Sequence, residues 1–164
     1  MTKTDLDVLI IGAGISGIDA AYHLQQHHPD RRFAILEQHS TFGGTWHTHR
    51  YPGARSDSDL YTFGFGWKPW TGTSIASADE IRDYLGEALS ENGLDGHIRY
   101  RHRVVAADWA DDHWSLLVEG PDGTRAPLTC SFLWMCQGYY RHEEGYTPDF
   151  DGMDSFAGQI VHPQ

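Results

Sequence analysis

A short apolar strand running into three spaced glycines limits the folds open to this chain more than any other feature. From Val8 to Ile11 the residues are continuously apolar, the pattern of a strand buried on both faces. Glycines follow at 12, 14 and 17, a G-x-G-x-x-G spacing. Each position meets its own physical demand. Gly12 makes a sharp strand-to-helix turn, Gly14 lets backbone approach a pyrophosphate, and Gly17 lets helix and strand pack closely. Ile18, Ala20, Ala21, Tyr22 and Leu24 predict a helix of about three turns, ended by His28-Pro29-Asp30. Phe33 to Glu37 is a second apolar strand with an acid at its tip.

Strand, glycine turn, helix, strand is the opening unit of a parallel sheet, so the chain reads as α/β and Rossmann-like. The helix start offers unpaired N–H groups to phosphates. Glu37 is placed to accept hydrogen bonds from a ribose diol, which disfavours a 2'-phosphorylated ribose at this position. The same glycines also suit a tight turn without a ligand. The flanking strand, the striped helix and the strand-end acid favour the dinucleotide reading. Between FAD and NAD the motif is silent.

The rest of the chain adds elements to that unit. Ser40 to Thr73 interleaves glycine, aromatic and charged residues without a sustained period, a long loop of the kind that more often carries function. Ala78 to Glu91 predicts a helix striped by Ile81, Tyr84, Leu85, Ala88 and Leu89, with Ser77 as N-cap and Glu80 three positions on. Ile98 to Ala107 reads as a strand. Trp114–Glu119 and Thr124–Thr129 flank the turn signal Pro121-Asp122-Gly123, and Phe132–Cys136 reads as a further short strand. Trp109, Trp114 and Trp134 are expected to be packing residues.

Charge and cysteine usage exclude several functions. Twelve Lys and Arg against 23 Asp and Glu give a formal charge of -11, which argues against nucleic-acid binding through a broad basic surface. Cys130 and Cys136 read as reduced core thiols, because a straight strand keeps them apart and no Cys-His-acid pattern accompanies them. No charged leader precedes an apolar stretch, and no run of 18 apolar residues exists, so a cytoplasmic protein without a transmembrane segment is expected. His39, His47 and His49 invite a metal reading, but no cysteine or acid stands with them at ligand spacing, and no metal is expected.

Three further segments carry a family resemblance: Gly43-Gly-Thr-Trp46, Arg50-Tyr-Pro-Gly-Ala-Arg-Ser-Asp-Ser-Asp59, and Cys136-Gln-Gly-Tyr-Tyr140. The chain resembles the N-terminal FAD-binding part of the class B flavoprotein monooxygenases. It is most similar to their Baeyer–Villiger branch, of the type that oxidises ketones and thioamides or sulfides. The closing Phe156-x-Gly158-x-x-x-His162-Pro163-Gln164 resembles the front of the family fingerprint.

The resemblance implies a three-layer FAD/NAD(P)-binding domain over residues 1–140. Its parallel central sheet carries an added antiparallel hairpin and is incomplete at its C-terminus. Residues 141–164 would connect towards an NADPH-binding domain that this sequence does not contain. It implies FAD as cofactor, with NADPH a co-substrate only of the complete enzyme, and oxygenation of ketones or sulfides through a C4a-peroxyflavin. Gly12, Gly14 and Gly17 would surround the pyrophosphate and Glu37 the adenosine ribose. Gly44, Thr45 and Trp46 would lie against the ribityl and ring region, and Val104 would contact adenine through its backbone. Asp57 would orient a catalytic arginine outside this sequence. Phe156, Gly158 and His162 would serve the coupling of domains. His47-Thr-His49 and Gln137 depart from the family pattern, which carries an acidic and aromatic stretch at the first place and a small hydroxyl residue at the second.

A lone Asp57 carboxylate would be costly to bury, so it should turn to solvent or pair with Arg50 or Arg55. A sheet without its last elements should expose an apolar edge or face, and a homo-oligomer or a complementing C-terminal polypeptide is the expected partner. A stand-alone flavin-binding or interaction module, or one half of a split enzyme, is the alternative reading. In each case the isolated chain is expected to have little or no native oxygenation activity.

Overall fold

The computed structural model describes residues 4–141 and 144–162. Among these residues six strands form one mixed sheet: β1 (Leu6–Ile11), β2 (Phe33–Glu37), β3 (Ile98–Tyr100), β4 (Arg103–Ala110), β5 (His113–Glu119) and β6 (Arg125–Met135). Among the described residues four α-helices accompany them: α1 (Ile15–His27), α2 (Thr45–Thr48), α3 (Leu60–Phe63) and α4 (Ala78–Glu91). The spatial order is β3-β2-β1-β6-β5-β4. β1 lies parallel to β2 and β6, and β2 parallel to β3, whereas β5 is antiparallel to both neighbours. The long β6 therefore belongs to both halves of the sheet.

Side-chain alternation along β1 divides the core into two layers. Val8 and Ile10 face α1 and α4, packing with Ile18, Ala21, Leu24, Ile35, Ile81, Leu85 and Leu89. Leu9 faces the other way, and it and the strand-end Leu6 pack with Leu36, Leu116, Val118 and Cys130, so the antiparallel half covers the far side of the parallel half. Helix, parallel sheet and antiparallel strands make the expected three layers. The Ser77 hydroxyl accepts from Glu80 N–H at 3.3 Å and the Glu80 carboxylate accepts from Ser77 N–H at 2.8 Å, the reciprocal cap that starts α4.

Two strand assignments change. The run from Ile98 to Ala107 is broken at Arg101, whose φ of 57° turns the chain out of the parallel sheet. Arg101 N–H donates to the His39 carbonyl and His102 N–H to the Glu37 carbonyl, both at 2.9 Å, so β2 ends the first strand and β4 begins the next. Conversely, the two segments around Cys130 are one strand. The first half of β6 pairs with β5, the second half with β1, and Cys130 pairs with both.

Two of the three tryptophans also differ from expectation. Trp109 is 54% exposed and Trp134 40% exposed, while Trp114 is half-buried against the second core layer. In β6, Phe132 and Trp134 stand in register with Val8 and Ile10, on the α1 side of the sheet, yet Phe132 is 57% exposed. The helical layer does not reach this strand. Both cysteines are free, Cys130 buried in β6 and Cys136 just beyond its end.

Candidate dinucleotide site

The site forms where β1, β2 and β6 end. Gly12 has φ of 102°, and a Cβ there would lie 2.6 Å from the Cys136 carbonyl oxygen, so only glycine fits. At Gly17 a Cβ would fall 1.9 Å from the Gly12 carbonyl oxygen, which is the close helix-on-strand approach the spacing predicts. Gly14 serves neither purpose. It is the N-cap of α1, and a Cβ there would meet only Gly44 at ordinary contact distance.

α1 begins without a side-chain cap and with no acid in its first turn. An uncapped helix start presents N–H groups and a partial positive charge, which suits a phosphate. Gly44, with φ of 53°, faces Gly14, and Gly43 N–H donates to the Ala13 carbonyl at 2.9 Å. The two glycine segments thus form one backbone-lined cradle, which side chains at 14 and 44 would fill. A cleft of about 460 Å³ adjoins it, between Ile15, Ser16 and Asp19 of α1 and the loop from Phe63 to Trp67.

Glu37 is 5% exposed and fully engaged with backbone. Ala13 N–H donates to Oε2 at 2.9 Å and His39 N–H to Oε1 at 2.8 Å. Each oxygen keeps a second lone pair, the capacity that a ribose diol requires. Val104, half-buried in β4, packs against the second core layer and stands two residues beyond the His102 N–H that donates to the Glu37 carbonyl. Thr45 opens α2, and Trp46 packs against the core with its ring edge-on to Phe63, centroids 6.3 Å apart.

Asp57 is exposed, and Ser58 Oγ donates to it at 3.4 Å. The two arginines near it in sequence are engaged elsewhere: Arg50 on His47 and Arg55 on the Gly53 carbonyl. Of the two expected outcomes, exposure prevails. Asp59 has a different task, accepting from Thr62 N–H at 2.9 Å to cap α3. The buried Ser56, which sequence reasoning passed over, anchors the loop. Its hydroxyl accepts from Ala76 N–H at 3.1 Å while its own N–H donates to the Ala76 carbonyl.

Folding also assembles an aromatic group at this end of the sheet. The His49 ring lies 5.7 Å from Tyr140 and 6.1 Å from Tyr51, and Tyr139 lies 4.6 Å from Tyr140. Hydrogen bonding to Tyr139 holds the Tyr140 hydroxyl above the usual tyrosine range, with Asp57 adding to the effect. Tyr51 and Tyr140 are far apart in sequence, and no local signal marks their meeting. Phe156 and His162 lie elsewhere, lining a cavity of about 480 Å³ with Phe150, Met153, Ile160 and Val161. Gly158 lies against the Phe156 ring. Pro163 and Gln164 fall outside the described residues.

Other chemistry is disfavoured by the same geometry. Burial pushes the Cys130 thiol up to about 11 and also raises Cys136, so neither supplies a thiolate near neutral pH. Among the described residues, no three His, Cys, Asp or Glu side chains are grouped to hold a metal ion. His47 instead receives a hydrogen bond from Arg50 Nη2 at 2.8 Å.

Comparison with known proteins accords with this cradle. Residues 10–88 match the family model for an NAD(P)-binding Rossmann-like domain. The chain is 53% identical over 161 residues to the FAD-containing monooxygenase EthA of Mycolicibacterium smegmatis, covering 96% of this chain and 32% of that protein. It is 48% identical over 165 residues to the probable FAD-binding monooxygenase AlmA of an Acinetobacter species, covering 99% and 33%. The crystal structure of OTEMO in complex with FAD and NADP superposes with a TM-score of 0.79 at 30% identity, over 99% of this chain and 31% of that one. The chain matches the N-terminal FAD-binding part of the class B flavoprotein monooxygenases. An oxidised steroid monooxygenase bound to NADP is similar at a TM-score of 0.76 and 29% identity. The chain spans about a third of the length of these class B relatives and matches their N-terminal Rossmann portion. Among the described residues, no helix is long and apolar enough to cross a membrane.

Proposed function

We propose that this chain is the FAD-binding portion of an NADPH-using Baeyer–Villiger-type monooxygenase that oxygenates ketones or sulfides. The observation that carries the reading is the uncapped start of α1 facing a second glycine pair, with Glu37 tied to the turn between them. Gly12, Gly14 and Gly44 shape the space for the pyrophosphate, which the first N–H groups of α1 receive. Glu37 binds the adenosine ribose, and Val104 contacts adenine. Thr45 and Trp46 flank the ribityl and ring end, with Asp57 free to orient an arginine from further polypeptide. FAD, when bound, supplies the two-electron chemistry; the residues of this chain bind it, orient it and exclude water from its phosphates.

Residues 1–140 form the cofactor domain in this reading, and residues 141–164, with Phe156, Gly158 and His162, form the connector to an NADPH-binding domain. The exposed Phe132, Trp134 and Met135 favour an assembled state, in which a second copy or a complementing C-terminal polypeptide covers β6. Two free thiols suit a reducing compartment, and the cytoplasm is the proposed location.

The deciding experiment is an absorption spectrum of the purified chain with the released cofactor identified. A flavin spectrum and released FAD support the reading. A cooperatively folded but colourless chain that takes up no added FAD points instead to an interaction module. NADPH-dependent turnover of a ketone or sulfide by these 164 residues alone would overturn the division of labour between this portion and the rest.

A further inference from the structure

The loop after β2 carries a basic group that the cofactor reading does not use. Its contacts close a circuit around the glycine turn. Glu37 Oε2 accepts from Ala13 N–H, and the Ala13 carbonyl accepts from Gly43 N–H. His47 follows one helical turn later, its N–H donating to the Gly44 carbonyl at 3.0 Å. The His47 ring lies 5.4 Å from the His39 ring, and His39 N–H returns to Glu37 Oε1.

Four ionisable groups face the His47 ring: Arg50 from the end of α2, His39 and Glu37 from the end of β2, and Arg82 from α4. Arg50 Nη2 lies 2.8 Å from His47 Nδ1. A guanidinium only donates, so that ring nitrogen acts as the acceptor and the imidazole is neutral. Arg82 reaches across Gly43; its Nε is buried without a hydrogen-bond partner, and its nearest acid, Asp79, is 3.8 Å away. Burial, and then the neighbouring Arg50, His39 and Arg82, hold His47 below the usual histidine range, against the opposing pull of Glu37.

A chain of charge -11 thus gathers two arginines and two histidines around the Gly43 segment, whose N–H holds the Ala13 carbonyl of the glycine turn, with one of the histidines held neutral. A group held neutral by nearby cations gains a proton when an anion joins them. We infer that His47 takes up one proton from solvent when the FAD pyrophosphate binds at the glycine turn, a step that rests on the FAD-binding reading above. The proton goes to Nδ1, the Arg50 hydrogen bond to that nitrogen breaks, and both side chains then present donors to the anion.

Linkage sets the sign. Above the bound-state pKa of His47, and below its free-state pKa, binding moves no proton. Between them, binding takes up a proton and FAD affinity rises as pH falls, by at most about tenfold per pH unit. The test is titration of the full chain with FAD from about pH 5.5 to about 8.5, followed by flavin fluorescence. It is paired with calorimetry in two buffers of different ionisation enthalpy. The expected result is uptake of up to about one proton per FAD, with a sloping affinity profile that His47→Gln flattens and His39→Gln keeps. Ring-nitrogen NMR of His47 in the unaltered chain, with and without FAD, reads the proton directly, so a poorly folding variant does not decide the matter. Binding with a flat profile and an unchanged His47 ring would overturn the inference and leave the FAD reading standing. Absence of any FAD binding would overturn both.

Discussion

The Glu37 carboxylate accepts the Ala13 N–H at 2.9 Å, joining the tip of β2 to the middle of the glycine turn across 24 residues. With His39 N–H on its other oxygen, this buried side chain organises the loop on each side of the cofactor cradle. Glu37→Ala leaves two N–H groups without their acceptor, and a loss of about 1–3 kcal/mol is expected in urea unfolding. Under the proposed function FAD retention should fall as well, because the proposed ribose acceptor and the turn geometry disappear together. A variant as stable as the parent would show that water replaces the carboxylate at no cost.

Gly17 and Gly14 should separate stability from binding. A Cβ at Gly17 falls 1.9 Å from a backbone oxygen, so Gly17→Ala should destabilise by about 1–3 kcal/mol or prevent folding. At Gly14 the nearest atom to an added Cβ is 3.6 Å away, so Gly14→Ala should unfold at nearly the parent denaturant concentration. Under the proposed function it should nevertheless lose FAD affinity, because the methyl group would occupy the proposed approach of the pyrophosphate. Equilibrium unfolding and FAD titration of the two variants check both halves.

Self-association should map to β6. Phe132, Trp134 and Met135 are exposed on a strand whose last residues pair only with β1. Light scattering of the chain is expected to show a dimer or a larger species. Phe132→Ser with Trp134→Ser should shift it towards monomer while changing unfolding free energy by no more than about 0.5 kcal/mol per site. A monomeric parent would count against the docking role of this face.

Acid should weaken the seam between β1 and β6. Thr129 donates both its hydroxyl and its N–H to Asp5, at 2.8 and 2.9 Å, and these bonds lower the Asp5 carboxyl from its usual range. Hydrogen bonding from Arg32 lowers Asp7 likewise. A depressed folded-state value means stability that is fully present above the ordinary aspartate range, about pH 4, and lost as pH falls through the lower folded value. The melting temperature should therefore drop below that pH, and Asp5→Asn should soften the drop. An identical acid profile in the variant would dismiss Asp5 as a contributor.

Local chemistry was legible where neighbours in sequence are neighbours in space. The α1 stripe, the Ser77–Glu80 cap, the Asp122-Gly123 turn and the three-glycine spacing all depend on residues within a few positions, so periodicity and side-chain type suffice. The family motifs added the cradle's second glycine pair. What the sequence could not disclose depends on distant partners. Arg101 breaks an even strand pattern because β2 ends beside it, and β6 runs unbroken because β5 and β1 each pair with part of it.

Side-chain fates divide in the same way. That Glu37 would stand at a strand tip followed from the sequence; that its carboxylate would hold Ala13 and His39 required the folded loop. Asp57 was identifiable as a carboxylate in need of a partner, but only the placement of Arg50 and Arg55 on other acceptors left it in solvent. The histidines at 39 and 47 were visible as residues, whereas Arg82 comes to them from α4 through tertiary packing. The sequence by itself determined α1, α4, the first two strands and the dinucleotide turn, because backbone preference and hydrophobic period are local. Tertiary structure alone decided which charges meet and which aromatics remain uncovered, because those outcomes depend on contacts between distant segments.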